Sequence, residues 1–297
     1  MIYRMNDFPD TLQRFLFEQA PVRGEVAHLN QAWQSIIERH DYPDVLRDLM
    51  GELTAAAVLL TATLKLEGSL VLQIHGQGVV KLLVVECSDD LEVRATAKWQ
   101  GELPAHATLQ ELVGNGRFVI TLDPRDGNQP YQGIVALEGA SVAEILQNYM
   151  MRSEQLETRF WLAADGQCAT GMLLQKMPER KESDLDAWPR INILAETLKR
   201  EELFELSAAE LLHRLFHEDD VRLFNAQKVV FSCTCSRDSV ARMLRMLGAD
   251  EVNSVLEERG HVEVRCEFCN QGYQFDAVDA QSLFADALAF PANDTRH

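Results

Sequence analysis

A chain of 297 residues, 46% apolar and 7% aromatic, is long enough to bury a large core, as two domains or as one domain with a satellite. Its 46 Asp and Glu against 28 Lys and Arg give a formal net charge of -18, so nucleic acid and anionic membranes repel it unless a local basic patch overrides the total. Residues 226–290, which hold most of the cysteines, carry six Lys/Arg against ten Asp/Glu and offer no such patch.

The first residues, Met1 to Asp7, show no apolar h-region with a small-residue cleavage site. The longest apolar run, Leu53 to Leu64, is interrupted by threonines and too short to span a bilayer. A soluble, cytosolic protein is therefore expected. Thr11 to Phe17, with Leu12 and Phe15, predicts a short amphipathic helix, and Val22 to Leu29 a strand. A second helix follows to about His40 and is ended by Pro43. From Asp44 to Leu64 apolar residues recur at helical spacing, predicting a long helix with one buried face that serves as the hub of the first domain.

A β-rich run comes next. Strands are predicted at Ser69 to His75 and Val79 to Glu86, around the turn Gly76-Gln77-Gly78, and at Leu91 to Trp99. Arg117 to Leu122 and Tyr131 to Leu137 form another pair. Ser141 and Glu144 make a capping box opening a helix to about Glu154. Strands resume at Thr158 to Ala164 and Ala169 to Lys176, so an N-terminal mixed sheet-and-helix domain is expected over residues 1–176.

Composition changes at 177. Residues 177–222 hold twelve acidic and seven basic side chains, yet Leu194, Leu198, Leu203, Phe204, Leu211, Leu212, Leu215 and Phe216 recur at helical spacing. Ser207 and Glu210 repeat the capping box. The segment 177–225 reads as a charged linker carrying a pair of amphipathic helices, with too little apolar surface to stand alone. Residues 226–290 read as a small α+β domain: a strand at Gln227 to Ser232, a helix stopped by Gly248, a second from Asp250 to Arg259, and short strands at His261 to Arg265 and Tyr273 to Asp276. Residues 291–297 form a polar tail. The whole is an α+β chain.

Four cysteines dominate the last domain. Cys233-x-Cys235 and Cys266-x-x-Cys269, separated by a thirty-residue insert, have the spacing that lets one tetrahedral ion collect four thiolates, and zinc is the expected ion. Gly272, with its tolerance of positive φ, is expected to turn the backbone behind Cys269. Two purposes remain open: a static structural site, or a switch, since thiolates are also what oxidants attack. Each pair is close enough in sequence to close on itself. Structural zinc contributes about 10–16 kcal/mol against a domain stability of about 5–15 kcal/mol, so losing the ion should unfold so small a unit.

Other candidates read as ordinary structure. Cys87 and Cys168 lie in strand patterns without neighbouring ligands. His213 and His217 are four apart but lack the glutamate of a zinc-protease helix. Gly76-Gln77-Gly78 and Gly114-Asn115-Gly116 fail the dinucleotide pattern. With no Walker loop and no nucleophile elbow, an enzyme is not expected.

Cys233-x-Cys235 and Cys266-x-x-Cys269, with the supporting stretches Arg23-Gly24-Glu25-Val26, Ala55 to Gly68 and Tyr131-Gln132-Gly133-Ile134-Val135, resemble the redox-regulated 33 kDa heat-shock holdase family, also called the 33 kDa chaperonin. The resemblance covers the whole chain. It implies a reduced form, inactive and holding one zinc at these four cysteines, and an oxidised form in which nearest neighbours are joined as disulfides, zinc is gone, and the linker is unfolded. It also implies a stress-response chaperone that binds unfolding client proteins without ATP, works as a homodimer when oxidised, and passes clients to ATP-dependent chaperones. A zinc-ribbon protein with a static metal, acting in transcription or translation, is the alternative, and the missing basic stripe counts against it. A thiol-disulfide oxidoreductase would need its C-x-x-C at a helix N-terminus.

Overall fold

The computed structural model describes residues 9–64, 67–178 and 186–285, and its first element differs from the sequence expectation. Thr11–Phe17 is a strand, β1, and not a helix. The spacing of Leu12 and Phe15 suits a helix, but Phe15 and Phe17 enter one core while Leu12 enters another. That two-sided burial belongs to a strand covered on both faces.

The chain continues through β2 (Val22–Leu29), α1 (Gln31–Ile37), α2 (Asp44–Thr63), β3 (Gly68–His75), β4 (Val80–Ser88) and β5 (Glu92–Trp99). A short helix absent from the sequence reading, α3 (Leu109–Val113), precedes β6 (Arg117–Pro124), β7 (Tyr131–Ala136) and α4 (Val142–Arg152). The hydroxyl of Ser141 accepts from the Glu144 N–H at the start of α4, as its sequence predicts. Then come β8 (Thr158–Ala164), β9 (Ala169–Lys176) and three helices rather than a pair: α5 (Ala187–Ala195), α6 (Arg200–Glu205) and α7 (Ala208–Phe216). Three short strands follow, β10 (Val221–Leu223), β11 (Gln227–Lys228) and β12 (Val230–Phe231).

These elements build two six-stranded sheets. One runs β10-β1-β2-β9-β8, with β11 also on β1; the other runs β12-β5-β4-β3-β6-β7. α2 packs against strands of both, and this corrects the expectation of a single buried face. Leu53 through Leu60 are buried without a break, because the helix is a filling between two sheets. Gly51 fits there because a β-carbon would press on Ala164 and the Trp33 ring.

The opposite face of the first sheet is covered by α5, α6 and α7. Ala187, Ile191, Leu203, Leu211, Leu215 and Phe216 meet Phe15, Val22, Val26 and Met172 in a second core. The charged 177–225 segment thus buries its apolar stripe on β1, β2 and β9, the amphipathic solution to a polar composition. The part of it at 179–185 lies outside the described residues.

Contacts divide the chain into two compact units, Met1–Ser232 and Cys233–His297. Residues 226–232, expected with the cysteine domain, go with the first unit. The physical reason is local pairing: Val229 is fully buried in the first core, and its N–H donates to the Asp10 carbonyl at 3.1 Å.

The second unit contains α8 (Arg237–Leu247), α9 (Ala249–Arg259), a hairpin of β13 (Val262–Arg265) and β14 (Gly272–Phe275), and α10 (Ala277–Ala285). Its core is small: Val240, Ala241, Leu244, Val252, Val262, Phe275, Ala280 and Leu283. Gly248 and Gly260, at φ 97 and 76, end α8 and α9 as the sequence indicates. The tail at 291–297 lies outside the described residues.

Candidate metal centre

Two chain reversals carry the four cysteines. Cys233 and Cys235 precede α8, whose N-terminus is fixed by Ser236: its hydroxyl accepts from the Ser239 N–H at 3.1 Å. Cys266 and Cys269 sit in the loop of the β13–β14 hairpin, which pairs Arg265 with Gly272. The Cys266 N–H donates to Gln271 O at 3.0 Å and the Asn270 N–H to Cys266 O at 2.8 Å. The left-handed residue of this knuckle is Asn270, at φ 58, and not Gly272, which is extended in β14. Asparagine reaches this conformation more readily than most side-chain-bearing residues.

The sulphurs converge. All four Sγ atoms lie within 4.8 Å of one another, with Cys233 to Cys266 at 3.6 Å and Cys235 to Cys269 at 3.3 Å. Zinc–thiolate bonds of about 2.3 Å in a tetrahedron place sulphurs about 3.8 Å apart. The donor set therefore fits a tetrahedral, thiophilic ion, and among the described residues no other group of three or more metal-ligating side chains converges in this way.

Electrostatics differ across the set. Burial pushes the Cys269 thiol up to about 12 and also raises Cys233. At Cys235 burial acts in the same direction but is outweighed by hydrogen bonds from Tyr273, Cys269, Cys233 and Cys266, which hold this thiol below its usual value. Tyr273 Oη stands 3.1 Å from Cys235 Sγ. The sequence reading missed this residue. Its signal was faint: a hydroxyl-bearing aromatic four residues after the last cysteine.

The remaining candidates stay apart from this cluster. Cys87 is fully buried on β4. Cys168 lies in the turn before β9 rather than in a strand, where its N–H donates to Asp165 Oδ1 at 2.9 Å. His213 on α7 and His217, just past its end, meet edge to face with ring centroids 6.0 Å apart. No helix among the described residues is long and apolar enough to cross a membrane.

Comparison with known proteins agrees with this arrangement. The family model described as Hsp33 protein matches residues 10–276. The 33 kDa chaperonin of Methylobacillus flagellatus is 57% identical over 290 residues, covering 97% of this chain and 99% of that one. That of Chromobacterium violaceum is 52% identical over 289 residues, covering 97% and 98%. The crystal structure of the 33 kDa chaperonin from Thermotoga maritima superposes with a TM-score of 0.81 at 21% identity, covering 95% of this chain and all of that one, so the fold is shared. With a family model spanning both units and relatives matching end to end, the chain belongs to the Hsp33 family of chaperones.

Proposed function

We propose that this chaperone is a cytosolic, oxidation-activated, ATP-independent holdase whose sensor is Cys233, Cys235, Cys266 and Cys269. The observation that carries the reading is a metal-ligand set made of thiols alone, in a unit with a small core. When bound, a zinc ion would hold these sulphurs as thiolates and tie the Cys233 reversal to the β13–β14 loop. Oxidation removes the ligands. Each pair of thiolates gives up two electrons as its S–S bond forms, and one hydrogen peroxide takes them up with two protons from solvent, yielding two waters.

Nearest-neighbour disulfides, Cys233 with Cys235 and Cys266 with Cys269, close very short loops and constrain little of the unfolded chain. Crossed bonds along the 3.6 and 3.3 Å contacts would instead staple the two reversals together and replace the metal. The nearest-neighbour pairing is the one that turns oxidation into unfolding. The magnitudes favour a large response, since about 10–16 kcal/mol of metal binding exceeds what so small a core supplies.

In this reading residues 1–176 form the stable domain, 177–232 the bistable linker with the strands that follow it, and the sensor begins at Cys233. On unfolding, the linker leaves the first sheet and exposes Leu203, Leu211, Leu215 and Phe216, and these with the first sheet bind unfolding clients. The oxidised chain acts as a homodimer and releases clients to ATP-dependent chaperones. The net charge of -18 keeps loaded complexes dispersed.

The test is aggregation of an unfolding protein in the presence of this chain, reduced and zinc-loaded or treated with peroxide at elevated temperature. Zinc release is followed with a chromogenic chelator, and the disulfides are mapped. Suppression confined to the oxidised form, with about one zinc lost per chain, is expected. Equal activity in both states, or retained zinc, returns the cysteines to a static structural role.

A further inference from the structure

Residues 221–232 run as a strap along an edge of both large sheets and end one residue before Cys233. β10 and β11 lie antiparallel to β1, with Phe15 opposite Leu223 and Thr11 opposite Lys228. β12 lies parallel to β5, with Val230 opposite Glu92. On β1 the backbone groups facing the strap belong to even-numbered residues: Arg14 O accepts from the Phe224 N–H at 2.9 Å and Asp10 O from Val229 at 3.1 Å, and the Glu18 N–H donates to Asp220 O at 2.9 Å. On β5, Leu91 O accepts from the Val230 N–H at 3.1 Å and Val93 O from Ser232 at 3.2 Å.

Side chains and backbone both hold the strap: Val221 and Leu223 pack on the second core, Phe231 on the first, and Arg222 pairs with Glu18, while the edges themselves are met by backbone bonds alone. Its strands are three, two and two residues long. Residues 224–228 are exposed, and Val229 is the one fully buried side chain. Phe231 adds a cation–π contact, with the Arg39 guanidinium 5.4 Å from its ring. An extended peptide of almost any sequence could make the same backbone bonds. Open edges of this kind recruit extended chains, which is why folded proteins cover them.

We propose that the edges of β1 and β5 are docking sites for extended segments of unfolded polypeptide. The strap occupies them in the reduced chain and vacates them in the oxidised chain, when the linker that leads into it unfolds. This rests on the redox reading above and adds the mode of capture: strand addition through backbone hydrogen bonds, with the strap itself showing that an extended chain seats on these edges antiparallel at β1 and parallel at β5.

Amide exchange tests it in the wild-type chain. The probes are the N–H groups of Leu12, Arg14 and Leu16 on β1 and of Val93 on β5, which point to the strap side because a residue's N–H and C=O face the same neighbour. The partner is a reduced, carboxymethylated, permanently unfolded test protein. Exchange should be slow in the reduced chain, at least about tenfold faster after oxidation, and slow again with the test protein bound. Edge amides that stay fast in the loaded complex overturn the proposal. So do edge amides slow in the oxidised chain alone, where a second copy has taken the edge.

Two variants separate this inference from the redox reading. Val229→Asp with Val230→Pro removes the buried anchor and the N–H donated to Leu91, and should bind the test protein while reduced; absence of binding overturns the proposal whatever the oxidised wild type does. Arg14→Pro removes an N–H from the outer edge and keeps the bonds of β1 to β2. It should weaken binding by the oxidised chain about fivefold or more, and unchanged binding overturns strand addition while leaving the redox switch standing.

Discussion

His28 Nε2 lies 3.1 Å from the carbonyl oxygen of Leu203, a contact that joins the first sheet to α6 across 175 positions of sequence. The Thr170 hydroxyl lies 3.2 Å from the same oxygen and 2.9 Å from Ala27 O, so its single proton is shared between the two carbonyls. Leu203 O belongs to the last turn of α6, where a carbonyl has no partner within its helix. Inside a core such an acceptor must be satisfied from elsewhere. The linker is therefore docked by hydrogen bonds as well as by leucines.

Thr170→Val keeps the shape of the side chain and removes its donor. It should cost about 1 kcal/mol and speed amide exchange in α6 and α7 more than in β8. Thermal unfolding and exchange by mass spectrometry read the two effects. Equal exchange in wild type and variant would show that docking is apolar alone.

Glu25, beside this anchor on β2, is 1% exposed and has one carboxylate oxygen without a hydrogen-bond partner. Burial lifts its pKa from 4.5 to about 7 against the pull of Arg23 and Arg14. Between those values the folded chain keeps a proton that the unfolded chain has released, so its contribution to stability falls as pH rises through the window, by about 3 kcal/mol. His28 works in the opposite sense: burial lowers its pKa below 6.5, although carbonyls of Leu203 and Leu206 oppose the shift, and stability is lost as pH falls through that range. Glu25→Gln removes only the first effect. Its melting temperature relative to wild type should climb between pH 5 and pH 8, and a constant difference would show that Glu25 does not titrate in this window.

Sequence reading captured what has a local signature. β8 and β9 fall on the residues that alternation indicates, and Ser141, Ser207 and Gly248 mark helix ends by capping chemistry that acts within a few residues. The burial of α2 on all sides escaped it, because periodicity reports composition around a helix and not how many sheets it meets. The strap escaped it too. Strands of two residues have no period, and their partners at β1 and β5 lie far away in sequence. In the candidate metal centre the cysteines announce themselves by spacing, whereas Tyr273 and the left-handed Asn270 are fixed by hairpin geometry that no spacing encodes.

Gly24 illustrates a constraint of close approach. A β-carbon on it would overlap the Phe15 ring and stand 2.6 Å from the Leu173 carbonyl oxygen. The ring can turn but the backbone of β9 cannot. Gly24→Ala should lower stability by about 1–3 kcal/mol and loosen the β1–β2–β9 ladder, measured by chemical denaturation. A neutral result would mean that the sheet yields at this point.

With zinc at the four cysteines as proposed, chelation is expected to separate the two units energetically. Chelation at neutral pH should unfold α8, α9 and the β13–β14 hairpin while β2, β8 and β9 stay protected from exchange, because their core is continuous with α2 and not with the cysteines. Cys269→Ser should produce the same pattern without chelator. Protection that survives in α8 and α9 under either condition would show that the core around Leu244 and Phe275 is sufficient by itself.

Tyr273 offers a finer measurement on the same centre. Its hydroxyl lies 3.1 Å from Cys235 Sγ, and its own pKa is raised to about 12, chiefly by that hydrogen bond. Groups that hydrogen-bond a ligand orient it and tune its donor strength, and their loss typically costs about 10–100-fold in metal affinity. Tyr273→Phe removes the hydroxyl and keeps the ring that packs beside Val264 and Phe275. Zinc affinity measured by competition with a chromogenic chelator should fall within that range while the melting of the first unit is unchanged. If affinity is unchanged, Cys235 needs no support beyond the other three thiolates, and the hydroxyl serves the hairpin alone.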